Sequence, residues 1–323
     1  MEIERRAPIF VTGYMRSGTT LLGNVIDRHS SIAVFIESFF IPRYYFTQVL
    51  FWPLSRSRNF LRLAQSIVNE ASSKRNGMGL DEARVLSAAE RNLPSLIDSL
   101  FSEWAQSRGK HRWADKSPGY ISKIATLDRM FGDARFVHII RDGRDVWLSL
   151  KRLGWKSDVV EVANDWANTV ARARQYGATM SPDRYLEVSY ERLVEFPEHE
   201  VRRIAAFLGE PYEPAMIQPD EEGPGNPALA GWPKVDLAID AHNTKKWKDR
   251  LGSYELAVFD LCAKDLLESF GYETPVIQHS LEEIIATRLR QARAKLRRPM
   301  EVMRRAVRLF AKAASDRWTT TAT

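Results

Sequence analysis

Cysteine is nearly absent: the 323 residues include one, Cys262. A single thiol excludes an intrachain disulfide and a cysteine-built metal site. Its place in the helical pattern SYELAVFDLCAKDLLESF reads as a buried packing residue. Long apolar runs are missing too. No segment approaches the ~18 continuous apolar residues of a membrane-spanning helix, and the opening MEIERRAPIF has no apolar signal-peptide core. The expectation is a cytoplasmic protein. No repeat of fixed period and no low-complexity tract interrupts the chain.

An excess of charge is also missing from most of the molecule, although the net charge is +6. Of 47 basic and 41 acidic residues, 11 and 4 lie from Leu281 onward, leaving 36 and 37 in the preceding 280. The body is close to neutral and the tail is basic. A uniformly basic nucleic-acid-binding domain is therefore excluded, and no nucleic acid is expected as a partner.

What is present is an alternation of short apolar strands and amphipathic helices. PIFVT (8–12) and IAVFI (32–36) are β-branched and bounded by turn residues. Between them, Leu21, Leu22, Val25 and Ile26 share one helical face. Strand, loop, helix, strand is the opening of a parallel α/β sheet. HRWAD (111–115), ARFVHII (134–140) and RYLEVSY (184–190) supply further strands, and HEVRRIAAFLG (199–209) a helix ending at a glycine cap. Residues 43–110 read as a mainly helical insertion or cap. Residues 218–235, rich in Gly and Pro, read as a loop, and a helix is expected at about 253–270. The predicted organisation is one domain over 1–280 and a basic amphipathic helical tail over 281–323, interrupted at Pro299.

GYMRSGTT (13–20) lies between the first strand and the first helix. Glycines let such a loop approach a ligand closely, and the helix start offers N–H groups and the positive end of its dipole. Thr19 and Thr20 add hydroxyls, so the loop suits a phosphate or similar anion. A nucleoside-triphosphate enzyme wants lysine at position 19, gripping the terminal phosphates, and a magnesium ion. Here the cation is Arg16, inside the loop, whose planar fork suits an oxyanion. The donor expected is a single 5′-phosphate with something attached. RFVHII then runs into RDGRDVWLSLKR, placing Arg141 at the carboxyl end of a strand, where open α/β sheets bind ligands. Ser149, two turns into the next helix, can meet the same additional phosphate. Alone, Arg141 reads equally as a salt-bridge partner of Asp142 or Asp145.

Together the two stretches resemble the sulfotransferases that use 3′-phosphoadenosine 5′-phosphosulfate (PAPS). GYMRSGTTLL is similar to their 5′-phosphosulfate loop and FVHIIRDGRDVWLSL to their 3′-phosphate motif. The arginine in the loop resembles the subgroup of tyrosylprotein and some carbohydrate sulfotransferases. The resemblance extends to FIESFFIPR, DKSPGY (115–120), VSYERLVEFP (188–197) and KKWKD (245–249). It implies a P-loop NTPase-like three-layer fold with a central parallel sheet, PAPS as co-substrate, PAP as product, and no metal. It places Arg16, Ser17, Gly18, Thr19 and Thr20 at the 5′-phosphosulfate, Arg141 and Ser149 at the 3′-phosphate, and Tyr190 and Lys246 as further donor contacts. Where the tyrosylprotein enzymes carry an arginine four positions after the helix serine, this chain has Leu153, preceded by Lys151 and Arg152.

Sulfuryl transfer needs cations where negative charge grows and a base for the acceptor proton. Arg16 and Lys116 are the candidate cations and Glu37, just after the second strand, is the candidate base. Competing readings are a helix-start carboxylate for Glu37, a Lys116–Asp115 pair, and a core histidine for His138; His111 and His242 are alternative bases. The acceptor class is a hydroxyl on a sugar, lipid, small molecule or tyrosine. A nucleotide or small-molecule kinase with a degenerate loop, and a nucleotide-binding regulatory module, are the competing functions. For the tail, peripheral contact with an anionic membrane, an oligomer contact, packing on the body and a solvated helix remain open.

Overall fold

Five short apolar segments build a single sheet in the computed structural model, which describes residues 6–73, 77–218, 243–277, 280, 282, 284–292, 303–304, 307–308 and 311. The strands are β1 (Ile9–Gly13), β2 (Ile32–Ile36), β3 (Arg112–Lys116), β4 (Arg135–Ile140) and β5 (Tyr185–Ser189). All are parallel, in the order β2-β3-β1-β4-β5. The helices are α1 (Thr19–Asp27), α2 (Ile41–Thr47), α3 (Ser57–Ala71), α4 (Glu82–Ala88), α5 (Leu93–Ser107), α6 (Ile124–Met130), α7 (Gly143–Arg152), α8 (Val159–Gly177), α9 (Tyr190–Glu195), α10 (Pro197–Leu208), α11 (Trp247–Arg250) and α12 (Ser253–Ser269).

A parallel sheet buries both faces, and the side-chain period of two divides each strand between two cores. Ile9, Val11, Val34, Val137, Ile139 and Val188 pack with Leu22, Val25 and Ile26 of α1, Leu193 of α9, and Ile204 and Leu208 of α10. The alternate residues Phe10, Phe35, Trp113, Phe136 and Ile140 pack with the helices from α2 to α8 and α12. Phe10 stacks on Phe136 at 5.5 Å and meets Trp113 edge-on at 5.7 Å. The result is a three-layer α/β fold with a central parallel sheet: the strand pattern predicts the parallel sheet and the resemblance implies the layered fold. Among the described residues no helix is long and apolar enough to cross a membrane.

β1 lies between β3 and β4, so the chain moves to one side after β1 and to the other after β3. That reversal opens the crevice at the carboxyl ends of the strands in which such sheets hold ligands. Among the described residues between Ile41 and Ser107, helices α2 to α5 predominate. The loop expected at 218–235 lies outside the described residues beyond Gln218, as does Pro299. In the tail, residues 284–292 are helical, with Thr287 buried and Gln291 donating to Cys262 Sγ at 3.1 Å. Ile285 and Leu289 stay exposed. Cys262 is half-buried rather than fully buried: it packs at the margin of the core and also accepts from Gln291.

His138 is a core histidine: it is fully buried, and its Nδ1 lies 2.6 Å from Tyr185 Oη. Burial, reinforced by Arg174, pulls its pKa down to about 3. The unfolded chain therefore takes up a proton near pH 6.5 that the folded chain refuses until about pH 3, and stability is lost as pH falls through that window. Asp115 and Asp145, both raised to about 6 by burial, slope the opposite way between pH 3.8 and 6. Comparing variants isolates the histidine. Between pH 7.5 and 5.5 the wild type should lose about 1.4 kcal/mol more than His138→Gln in urea unfolding; parallel losses would exclude His138 as the titrating group.

Candidate active site

Every strand of the sheet delivers a sequence-predicted residue at its carboxyl end. The glycine loop follows β1, Glu37 follows β2, Lys116 ends β3, Arg141 follows β4 and Tyr190 follows β5.

The loop can close only with glycine at two places. A Cβ on Gly13 would sit 2.5 Å from the Ile139 carbonyl oxygen, and one on Gly18 would sit 2.4 Å from the Tyr190 ring, with φ at +93°. Arg16 also adopts a left-handed backbone, φ +66°, which costs a non-glycine residue roughly 1–2 kcal/mol. Such a cost persists where the surroundings impose it, commonly at a functional site. The turn throws the Arg16 side chain across to the second motif: its Nε donates to Ser149 Oγ at 3.1 Å, and its guanidinium lies 5.5 Å from the Trp155 ring centre. Burial lowers the Arg16 pKa, and the charges of Arg141 and Arg152 lower it further. Cations crowded in this way are stabilised by an anion.

Arg141 is buried, stacked 4.3 Å over the Tyr190 ring, and donates to the carbonyl oxygens of Arg16 and Asn243 at 3.3 and 2.6 Å. Asn243 also donates to Tyr190 Oη at 2.8 Å and accepts from Lys246 Nζ at 2.7 Å. Arg16, Ser149, Arg141, Tyr190 and Lys246 are thus one connected set. Arg141 forms no direct salt bridge with Asp142, which caps α7 and pairs with Arg144 at 2.7 Å, or with Asp145, whose Oδ1 accepts from the Trp247 amide; the Arg141 charge acts on Asp145 without a direct ion pair. Arg141 Nε and Ser17 Oγ are buried without a protein partner. Buried polar atoms ordinarily find one, and two orphan donors beside the first turn of α1, with its unpaired N–H groups, fit a bound oxyanion.

On the other side of β1, Lys116 is 1% exposed, and its Nζ donates to Glu37 Oε1 at 2.9 Å and to Thr20 Oγ1 at 3.4 Å. Its stem runs along α1 at Gly23, where a Cβ would come within 3.1 Å of it. Burial lowers the Lys116 pKa, against the opposing pull of Glu37. The expected alternative, a Lys116–Asp115 pair, is not formed; Asp115 bonds to Ser38 and Ser117 instead. Nor does Glu37 start a helix. It occupies a left-handed bend, φ +60°, four residues before α2, with its amide bonded to the Lys116 carbonyl oxygen at 2.9 Å. Thr19 is buried at the helix start. His111 precedes β3, at the opposite end of the sheet, and His242 lies outside the described residues. Asn243 and Trp155 escaped sequence reading; the only signal for Asn243 was its place two residues before KKWKD. Arg152, which follows the helix serine by three, contributes its charge at Arg16.

A glycine loop opening a helix, two arginines converging from β1 and β4, and a lysine–carboxylate pair from the adjoining strands define a P-loop-like group-transfer enzyme with a site for anions. A family model described as the sulfotransferase family matches residues 8–214. The chain belongs to the sulfotransferase family. Its relatives include a putative protein-tyrosine sulfotransferase of Caenorhabditis briggsae, 25% identical over 83% of this chain and 86% of that protein. Protein-tyrosine sulfotransferase 1 of Danio rerio is 27% identical over 66% of this chain and 56% of its own length. Nodulation protein NoeE of Sinorhizobium fredii is 24% identical over 90% and 71%. Among solved structures, the sulfotransferase domain of the Synechococcus PCC 7002 olefin synthase has the same fold, with TM-score 0.54, 23% identity, and coverage of 85% of this chain and 99% of that one.

Proposed function

We propose that this sulfotransferase moves a sulfuryl group from PAPS to a hydroxyl-bearing acceptor without a metal ion. The observation that carries the reading is the Arg16–Ser149 hydrogen bond, which joins the loop after β1 to the helix after β4. One donor molecule carrying phosphates at both ends would span those two elements. Arg16 to Thr20 would hold the 5′-phosphosulfate and Arg141 and Ser149 the 3′-phosphate, with Tyr190 and Lys246 as further donor contacts. Bound PAPS supplies an electrophilic sulfur whose bond to the phosphate oxygen breaks as the acceptor oxygen attacks from the opposite side. Arg16 and Lys116 provide positive charge for the oxygens that gain negative charge. Glu37 takes the acceptor proton. Among the curated relatives, those named for protein-tyrosine make a phenolic hydroxyl one acceptor to try.

Calorimetric titration tests this reading. The protein should bind PAP in the presence of EDTA, and Arg141→Ala should weaken that binding about 10- to 100-fold, the worth of a charged hydrogen bond. Binding of magnesium-ATP alone would support the kinase reading instead. Equal PAP affinity of the variant and the wild type would remove Arg141 from the site.

A further inference from the structure

Behind the Glu37–Lys116 pair lies a second, wholly buried pair. Ser38 follows Glu37, and Asp115 precedes Lys116. Ser38 Oγ donates to Asp115 Oδ2. It also lies 2.8 Å from Tyr120 Oη, while Ser117 Oγ donates to Asp115 Oδ1 at 2.7 Å. The Ser117 carbonyl oxygen in turn accepts from Thr12 Oγ1 in β1 at 3.2 Å. Asp115 and Ser117 are fully buried, and Ser38 and Tyr120 are 3% exposed. The cluster holds no cation, and burial raises Asp115 to about 6. A carboxylate kept in such a place needs a reason beyond packing.

The backbone supplies one. On either side of Ser38 the chain is left-handed, φ +60° at Glu37 and +56° at Phe39. Two non-glycine residues in that conformation do not hold themselves there. The Glu37 amide bonds to the Lys116 carbonyl oxygen, and Ser38 adds a side-chain tie from the middle of the bend to the sheet, at Asp115. Strand alternation sends Asp115 to one face and Lys116 to the other. Phe35 stands opposite Asp115 and Ile36 opposite Lys116, so plain alternation past β2 would put Glu37 on the Asp115 face and Ser38 on the Lys116 face. The left-handed turn at Glu37 reverses this, and Ser38 meets Asp115 while Glu37 meets Lys116.

We propose that the Ser38–Asp115 hydrogen bond, backed by Tyr120 and Ser117, is a positioning element that fixes the bend after β2 and thereby aims the Glu37 carboxylate. These residues touch no reacting atom; they act through Glu37. The kinetic part of this proposal rests on the sulfotransferase reading, and the geometric part does not.

Ser38→Ala in the full chain tests both parts. In its crystal structure Glu37 should leave its 2.9 Å contact with Lys116. PAP affinity and the KM for PAPS should be unchanged, while the rate of PAP release from PAPS falls roughly 10- to 100-fold, the penalty of a misplaced catalytic group. In a Glu37→Gln background, Ser38→Ala should cost nothing further, because there is no longer a base to aim. An undisturbed Glu37–Lys116 contact, a wild-type rate, or an equal loss in both backgrounds would each overturn the proposal. Should the wild type fail to bind PAP, the sulfotransferase mechanism falls, but the Glu37 position in Ser38→Ala still decides the geometric claim. If Ser38→Ala does not fold, Tyr120→Phe, which removes one supporting hydroxyl and leaves Ser38 on Asp115, should displace Glu37 and slow turnover to a smaller degree; a wild-type position and rate in that variant would overturn the proposal.

Discussion

Replacing Glu37 by glutamine is expected to slow PAP release from PAPS by about 10²- to 10⁴-fold, the usual contribution of a general base, while PAP still binds. The amide keeps the shape and can still accept from Lys116, but it cannot take a proton from the acceptor. A second effect follows from unequal exposure. The Glu37 side chain is 22% exposed and that of Lys116 is 1% exposed. Neutralising Glu37 takes from the buried ammonium its hydrogen-bonded carboxylate and leaves it the weaker pull of Asp115, so the variant should also lose roughly 1–3 kcal/mol in urea unfolding. Full activity in Glu37→Gln would remove Glu37 as the base, and unchanged stability would show that the pair is better hydrated than its burial implies.

Lys116→Met should cost about 10²- to 10³-fold in turnover, the loss typical of one charge-stabilising donor, with PAP affinity retained. Methionine keeps the apolar stem that lies along α1 at Gly23, and the carboxylate left behind is partly solvated. Replacing a buried charge by an apolar side chain of similar size is often neutral for stability. Lys116→Met should therefore unfold later in urea than Glu37→Gln although both are nearly inactive. The reverse order would mean that the energetic burden sits on the carboxylate. Single-turnover measurements with PAPS separate the chemical step from product release in both variants.

The competing readings at this site were decided by geometry that sequence adjacency conceals. Lys116 stands beside Asp115 in the chain, yet neighbours on a strand point to opposite faces, so the two feel each other's charge without a direct contact. Glu37 is 79 positions away and meets Lys116 because the parallel register sets Ile36 opposite Lys116. The same holds for Arg141: the adjacent Asp142 turns back to cap α7, and the partner groups come from Arg16 and Asn243, 125 and 102 positions distant. Asn243 was invisible because nothing in its neighbourhood announces that one side chain will join Tyr190 to Lys246.

What the sequence determined by itself is whatever depends on local periodicity and local chemistry. Short β-branched runs and amphipathic helices in alternation dictate a parallel sheet covered on both faces. Glycines at 13 and 18 beside Arg16 and two threonines dictate an anion-binding turn at a helix start, and the absence of lysine at 19 argues against a terminal-phosphate grip. Tertiary structure alone decided which charges face one another. The order β2-β3-β1-β4-β5 brings five strand ends, spread from residue 13 to residue 189, to the carboxyl end of the sheet. Burial there decides the protonation tendencies of Lys116, Arg16 and Asp115, because a charge is costly where water is excluded and its partners come from distant parts of the chain.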